Sequence, residues 1–368
     1  MAYTTIDNPE LYFQTKLFSG TGGGGGSLTF DGSENMQPDM VWSKSRTEAL
    51  NHTLFDSVRT AGSNKELTPN GTSPEGGSSS AGFGYISAFN SNGFTWTAGS
   101  TNTENFNKSS QTYVHWNWKA GTSFTNDASA TSVGTIDSSG SVNTDAGFSI
   151  VSYTNTDQTA NSGVATIKHG LNTTPNVIIL KDRDATSDWQ VFHSSLPTNK
   201  YLDLNTTDAA AVDTNVWNNT APTSSVFTVG DNSYVNPSNR AMIAYCFAEK
   251  QGYSKFGSYT GNGNADGPFV YTGFKPAWLL IRNTTSGSEN WAIYDNKRDS
   301  FNTVFNASFP NRPNADGTNT SQNLDFLSNG FKLKSAEGRF NASGNTMIFM
   351  AFAESPFVTS TGIPTTSR

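Results

Sequence analysis

Apolar residues in this chain come in short runs separated by Gly, Ser, Thr, Asn and Asp. Short apolar runs bounded by turn formers predict strands. No stretch sustains the 3.6-residue stripe of an amphipathic helix. One run, Val177 to Leu180, follows Pro175 and leads through the charged turn "KDRDATSD" into Trp189-Gln190-Val191-Phe192. The same order of features begins at Pro38, in "PDMVWSKSRTEALNHTLFDSV", and at Pro276, in "PAWLLIRNTTSGSENWAIYDNKR". Each has a proline, an apolar strand, a basic position (Lys44 with Arg46, Lys181 with Arg183, Arg282), a polar turn and a second aromatic strand.

The likeness extends in both directions. Downstream, "SNGFTW", "SSVFTV" and "SNGFKL" correspond, and each leads to a final strand: "TYVHWNWKA" from Thr112, "AMIAYCFAE" from Ala241 and "TMIFMAFAE" from Thr346. Upstream, "KLFSGTGGGGGSLTFDG", "SIVSYTNTDQTANSGVATIKHG" and "KFGSYTGNGNADGPFVYTG" each give strand, Gly/Asn turn, strand. The distance from each proline to the middle of its last strand is nearly constant, which is the mark of duplication. The expected fold is therefore all-β, with three tandem β-sandwich (jelly-roll-like) modules and short polar loops. The boundaries are an attachment segment 1–9, repeats 10–120, 145–249 and 253–357, a small-residue linker 121–144 and a C-terminal tail 358–368. In the last strand, Ile348, Met350 and Phe352 alternate with Met347, Phe349 and Ala351, so both faces are apolar. Such a strand is central, or it lies between its sandwich and a neighbouring unit.

Composition narrows the class. Of 368 residues, 14% are charged and 12% aromatic, more aromatic than a disordered chain carries. A net charge of −7 argues against nucleic acid as main ligand, because phosphate binding needs a concentrated positive surface. No stretch is long and apolar enough for a membrane-spanning helix, and the first residues do not read as a signal peptide. The one cysteine, Cys246, lies inside an apolar strand and reads as a buried hydrophobe.

Candidate chemistry is sparse. The glycine run Gly22–Gly26 precedes another strand and not a helix, so it reads as a hairpin loop and not a phosphate cradle. His193 and Ser194 lie near Asp182, Asp184 and Asp188, but the matching positions in the other repeats are Asp56-Ser57 and Asp295-Asn296, and no nucleophile elbow surrounds them. The four histidines, His52, His115, His169 and His193, lack zinc-ligand spacing. The acidic loops 182–188 and 264–267 lack the ligand pattern of a calcium loop. No catalytic residue, metal site or cofactor is expected. Trp189 and Trp291 occupy corresponding places, as core residues do. Trp217 has no counterpart and, with Asn215, Asn218 and Asn219, is the candidate exposed glycan contact. Leu11, Tyr12 and Phe13 lie in residues 1–15, which have no repeat equivalent before Leu17, and are the candidate anchor to another protein by strand addition or side-chain burial.

Several stretches resemble a known family: "AYTTIDNPELYFQTKLFSGTG", "YVHWNWKAG", "TTDAAAVDTNVWNNTAPTSSVFTVG", "AYCFAEKQGYSKFGSYTGNGNADGPFVYTGFKPAW" and "MAFAESPF". Nearly the whole chain resembles repeat proteins encoded by tailed bacteriophages of marine bacteria, notably cyanophages and related podoviruses. That resemblance implies a non-enzymatic virion structural protein, assembled in the host cytoplasm. It would be a tail appendage, fibre component or capsid decoration. Its partners would be other virion proteins in a homo-oligomer, with adhesion to host surface polysaccharide as a second role. The alternative from another class is a polysaccharide-binding or polysaccharide-degrading tail protein, and degradation would need two carboxylates facing each other across a cleft.

Overall fold

The computed structural model describes residues 4–78, 80–102, 104–156, 163–317 and 321–356. The tail 358–368 lies outside them. The chain is all-β, built from antiparallel sheets. Each of the three repeats forms a four-stranded inner sheet with one strand order. In unit 1 this order is Phe13–Ser19, Thr112–Trp118, Met40–Ser45, Thr53–Asp56. In unit 2 it is Phe148–Thr154, Ala241–Phe247, Val177–Asp182, Gln190–His193, and in unit 3 Ser254–Thr260, Thr346–Pro356, Phe274–Asn283, Ala292–Asp295. A smaller outer sheet covers each: Gly26–Leu28, Gly93–Thr97 and Tyr85–Asn90 in unit 1, Ala165–Lys168 with Val226–Val229 in unit 2, and Phe269–Tyr271, Gly330–Leu333 and Leu324–Leu327 in unit 3.

The registers match residue for residue. Trp118 pairs with Met40, Phe247 with Val177 and Phe352 with Trp278. Pro38, Pro175 and Pro276 each stand two positions before that partner. Pro38 and Pro175 precede their strands, while Pro276 falls at a register shift, so none of them removes a regular ladder bond.

Both faces of each inner sheet are buried. One face packs under its own outer sheet, giving three separate cores. In unit 3 that core takes Met347, Phe349 and Ala351 with Phe331 and Leu333. The opposite faces of all three sheets meet in one shared core, which takes Ile348, Met350 and Phe352 with Trp42, Trp116, Trp118, Ile179, Trp189, Tyr245, Phe247, Trp278 and Leu280. The units therefore close around a pseudo-threefold axis. Near it the equivalent residues Trp118, Phe247 and Phe352 touch edge-to-face, with centroids 6.4, 5.7 and 5.9 Å apart.

Two expectations are corrected. Residues 121–144 are not a linker. Thr122–Asn126 and Ser138–Asn143 pair with each other, and the second pairs with Phe148–Thr154; with Lys200–Asp203 and Ala211–Val212 added at the opposite edge, the unit 2 sheet has eight strands. Their Ser, Thr and Gly content hides the strand signal. At Gly140 a Cβ would stand 2.0 Å from the Ile150 carbonyl oxygen, so the close approach needs glycine. The segment before the first repeat is not a free arm either. Ile6 is part of the shared core, and Asn8 Oδ1 caps the 3-10 turn Pro9–Leu11 by accepting from Glu10 N. Tyr12 meets Tyr253 at 5.8 Å, and Phe13 stacks on Phe352 at 5.5 Å and lies 4.8 Å from Trp118.

Because the shared core belongs to no single unit, residues 145–249 expressed alone should not reach a cooperatively folded state. Loss of near-ultraviolet circular dichroism and of a thermal transition is the expected result; a sharp transition would show that the unit does not need its neighbours. In the full chain, Phe352→Ala should cost about 3–5 kcal/mol in urea unfolding.

Candidate functional site

The side chains most able to do chemistry lie in the three seams between units, and they repeat around the ring. At the position shared by His52, Trp189 and Trp291, a ring N–H is donated to a main-chain carbonyl of a loop in the adjoining unit. His52 donates to Phe309 O (3.0 Å), Trp189 to Thr68 O (3.0 Å) and Trp291 to Asp203 O (3.0 Å). The same loops pair through their backbones: Asp316 N to Arg46 O, Glu75 N to Arg183 O and Ala210 N to Thr284 O, at 2.8, 2.8 and 2.9 Å. Unit 1 thus meets unit 2, unit 2 meets unit 3 and unit 3 meets unit 1.

Buried cations tie down the loop ends. Lys44, Lys181 and Arg282 occupy one position on equivalent strands, and all three are buried. Lys181 Nζ donates to Thr72 O in unit 1 and to Ser187 O, and Arg282 donates to Asp208 O in unit 2 and Glu289 O in its own. Lys44 Nζ donates to Ser45 O and Glu48 O within unit 1. Burial lowers both lysines to about 8 and Arg282 to about 10. Arg46 and Arg183 add ion pairs across their seams, to Asp316 (2.8 Å) and Glu75 (2.5 Å). From sequence, Lys181, Arg183 and Arg282 are expected to anchor a strand end or to form an inter-repeat ion pair; Arg183 forms the ion pair, while Lys181 and Arg282 bond loop carbonyls.

A second motif is easy to miss in sequence: Asp-x-x-Arg at Asp56/Arg59 and Asp295/Arg298. Both are fully buried ion pairs, 2.7 and 2.6 Å. Each aspartate also accepts a bond from a neighbouring unit, Asp56 from Tyr245 Oη (2.6 Å) and Asp295 from Trp116 Nε1 (3.0 Å). The guanidinium of Arg298 lies 5.4 Å above the Trp116 ring. Trp116, Tyr245 and Met350 are equivalent residues. In the third seam the donor's place is taken by Met350, which has no hydrogen to donate, and the Asp/Arg positions hold His193 and Leu196. His193 Nε2 instead donates to Phe349 O at 3.2 Å, beside a small apolar gap lined by Val177, Ile179, Val191, Leu280 and Ile348.

The histidines are consumed by structure. In His52, His169 and His193, Nε2–H donates to a carbonyl while Nδ1 accepts from Trp42 Nε1, Leu171 N and Ser195 N respectively. His115 Nδ1 bonds Ser43 Oγ at 2.7 Å. With both nitrogens of His193 taken, the ring cannot serve Ser194 as a base. Asp182 and Asp184 are likewise committed: Asp182 caps Asp184 N and Ala185 N and pairs with Arg240, and Asp184 accepts from Ala241 N. Asp203 is pushed up to about 7, first by burial and then by Asp188 and Asp208, and it accepts from Gln190 Nε2. Asp188 accepts from Asn205 Nδ2. Burial pushes the Cys246 thiol up to about 12, so it is not a ready nucleophile. Among the described residues no three His, Cys, Asp or Glu side chains converge as a metal site, and no helix is long and apolar enough to cross a membrane.

Trp217 corrects the glycan expectation. It sits in the short helix Thr214–Trp217, 1% exposed, with its ring 5.7 Å from Phe192 in the unit 2 core. Asp213 caps that helix by accepting from Asn215 N. Asn215, Asn218 and Asn219 stay exposed, but the aromatic platform they would need is not beside them at the surface. The candidate anchor residues separate in a similar way. Phe13 is buried, while Leu11 and Tyr12 are half-buried against the chain itself.

The described residues do expose large apolar side chains elsewhere: Val164, Val212, Tyr234, Phe269, Tyr271 and Phe301. Single exposed apolar residues are ordinary, but Phe269 and Tyr271 share one face of a three-residue edge strand. Sequence comparison of the repeats contained this signal, since the equivalent residues are Ser27 and Thr29 in unit 1 and Thr166 and Lys168 in unit 2.

Residues 8–356 match a family model described as a domain of unknown function, DUF7483, so the chain belongs to that family. No curated protein and no solved structure matches it.

Two measurements follow. Trp217→Ala should lower stability by about 3–5 kcal/mol, as for a large core aromatic; unchanged urea unfolding would return the residue to the surface. Acid should also destabilise the protein. Burial lowers His115 to about 3 and His169 and His193 to about 4, with His52 well below its usual range. In the unfolded chain these groups bind protons near pH 6.5, before the folded protein can, so the stability held above that pH is lost between about 6.5 and 4. Each contributes up to about 1.4 kcal/mol per pH unit. His193→Gln should therefore flatten the stability-versus-pH slope in this window, measured by urea unfolding at stepped pH; an unchanged slope would place the proton uptake elsewhere.

Proposed function

We propose that this DUF7483 chain is a non-enzymatic structural protein of a bacteriophage virion, placed as a tail appendage, fibre component or capsid decoration. The observation that carries the reading is the commitment of reactive side chains to seams and caps. His52 and His193, Asp56 and Asp295, and the Lys44, Lys181 and Arg282 position all hold one unit to itself or to the next. A catalytic protein keeps some such groups addressed to a cleft. A load-carrying part instead gains from seams that open only together. The resemblance of nearly the whole chain to virion proteins of marine tailed phages supplies the setting.

A cryo-EM map of virions from the phage that encodes this chain should contain its three-unit ring at a tail or capsid position. Mass spectrometry of the same purified particles should detect the protein at structural copy number. Its absence from particles would overturn the assignment. Release of reducing sugar from host envelope polysaccharide by the purified chain would overturn the non-enzymatic part.

A further inference from the structure

We propose that the edge strand Phe269–Tyr271 is a strand-addition site for an extended segment of a partner protein, running parallel to it and carrying an aliphatic residue at its centre. The inference stands apart from the virion reading, because it rests on a comparison between units.

The backbone of this edge points outward where the aromatics stand. Leu333 N bonds Pro268 O at 3.1 Å and Thr272 N bonds Asn329 O at 2.9 Å. Hydrogen-bonded pairs alternate along an antiparallel ladder, so Phe269 and Tyr271 turn their own N–H and C=O groups away from Gly330–Leu333 and toward the open edge. Their side chains are 45% and 54% exposed. Natural proteins usually blunt such an edge with charge or cover it.

Unit 2 shows how the equivalent edge is covered. Thr166 and Lys168 stand where Phe269 and Tyr271 stand, since Ile167 pairs with Phe227 as Val270 pairs with Phe331. Residues from the unit 2 insertion lie along that edge. Thr135 N donates to Thr166 O at 2.8 Å, Thr166 N donates to Thr135 Oγ1 at 2.9 Å, and Ser138 Oγ donates to Lys168 O at 3.1 Å. Ile136 bridges Ile167 in parallel, and its side chain packs against the unit 2 core. The outward groups of that edge are thus met by one extended stretch, with an aliphatic residue as its anchor. Unit 1 leaves the edge as Ser27 and Thr29, small and polar. Among the described residues nothing covers the edge in unit 3, which carries two aromatics, and the two other units show that the fold does not require aromatics there.

A partner segment fits better than a second copy. Two identical edges related by a twofold, isologous contact pair antiparallel, whereas the covered edge of unit 2 is parallel. Each copy also carries a net charge of −7, which opposes close self-association. Main-chain bonds would supply affinity, and the aromatics would select the residues on either side of the anchor.

The probe is a fluorescein-labelled peptide of residues 131–139, TSVGTIDSS, the chain's own edge-covering segment, added to the full-length protein. Fluorescence anisotropy should show saturable binding that a scrambled peptide lacks. The double variants F269K/Y271K and F269S/Y271T, the second carrying the unit 1 residues, should keep the wild-type melting temperature. Both should bind at least tenfold more weakly. Hydrogen exchange should show new protection at the Phe269 and Tyr271 amides. Equal binding by both variants, no saturation at millimolar peptide, or protection confined to Thr166 and Lys168 would each overturn the proposal. So would a concentration-dependent dimer in sedimentation that the variants abolish, since the occupant would then be a second copy.

Discussion

An inner sheet that is apolar on both faces must be covered twice, and this requirement organises the molecule. The outer sheet of each unit covers one face. Among the described residues nothing within the unit covers the other, which carries residues such as Trp118, Phe247 and Phe352. Three sheets with the same unmet face satisfy one another by closing into a ring. Burying a large aromatic on this scale contributes roughly 1.5–3 kcal/mol per side chain, and the axis holds one from every unit. The seams follow from that closure. Once the faces meet, each adjoining loop end lies over a neighbour's strand, and its carbonyls need donors that His52, Trp189 and Trp291 provide.

The seams are not equal. Two contain a buried aspartate–arginine pair bridged by a Trp or Tyr donor, and one contains His193, Leu196 and Met350. Buried ion pairs stabilise little over an apolar replacement, although breaking one partner is costly. The apolar seam therefore need not be the weaker at neutral pH. It differs in what disturbs it: protonation of His193 at Nδ1 would set that N–H against the donor at Ser195 N and leave a charge among aliphatic side chains.

Much of this was legible in the chain. The repeated order of proline, strand, basic residue and aromatic strand locates equivalent strands, and the two-faced pattern of Thr346–Pro356 already calls for a neighbour. The ring itself was not legible, because local periodicity records that a face is apolar and not what covers it. The hairpin 122–143 was missed because its strands are made of Ser, Thr and Gly. They pair at the edge of a sheet that needs hydrogen bonds there more than apolar side chains. The N-terminal segment and Trp217 failed for one shared reason. Lacking a counterpart in the other repeats suggests a residue free of the core, but a residue can be unique and still fill a gap that only one unit has.

Joining three units in one polypeptide has a consequence for how such a ring can change. In an assembly of identical subunits, every substitution appears three times and must suit all three surroundings. Here each position is coded separately. The serine, threonine and phenylalanine at Ser27, Thr166 and Phe269 occupy one structural place under three independent selections. The inward surfaces are held alike by their mutual fit, while the outward ones are at liberty to specialise. Covalent linkage turns a symmetric scaffold into one that can present three different faces to its surroundings.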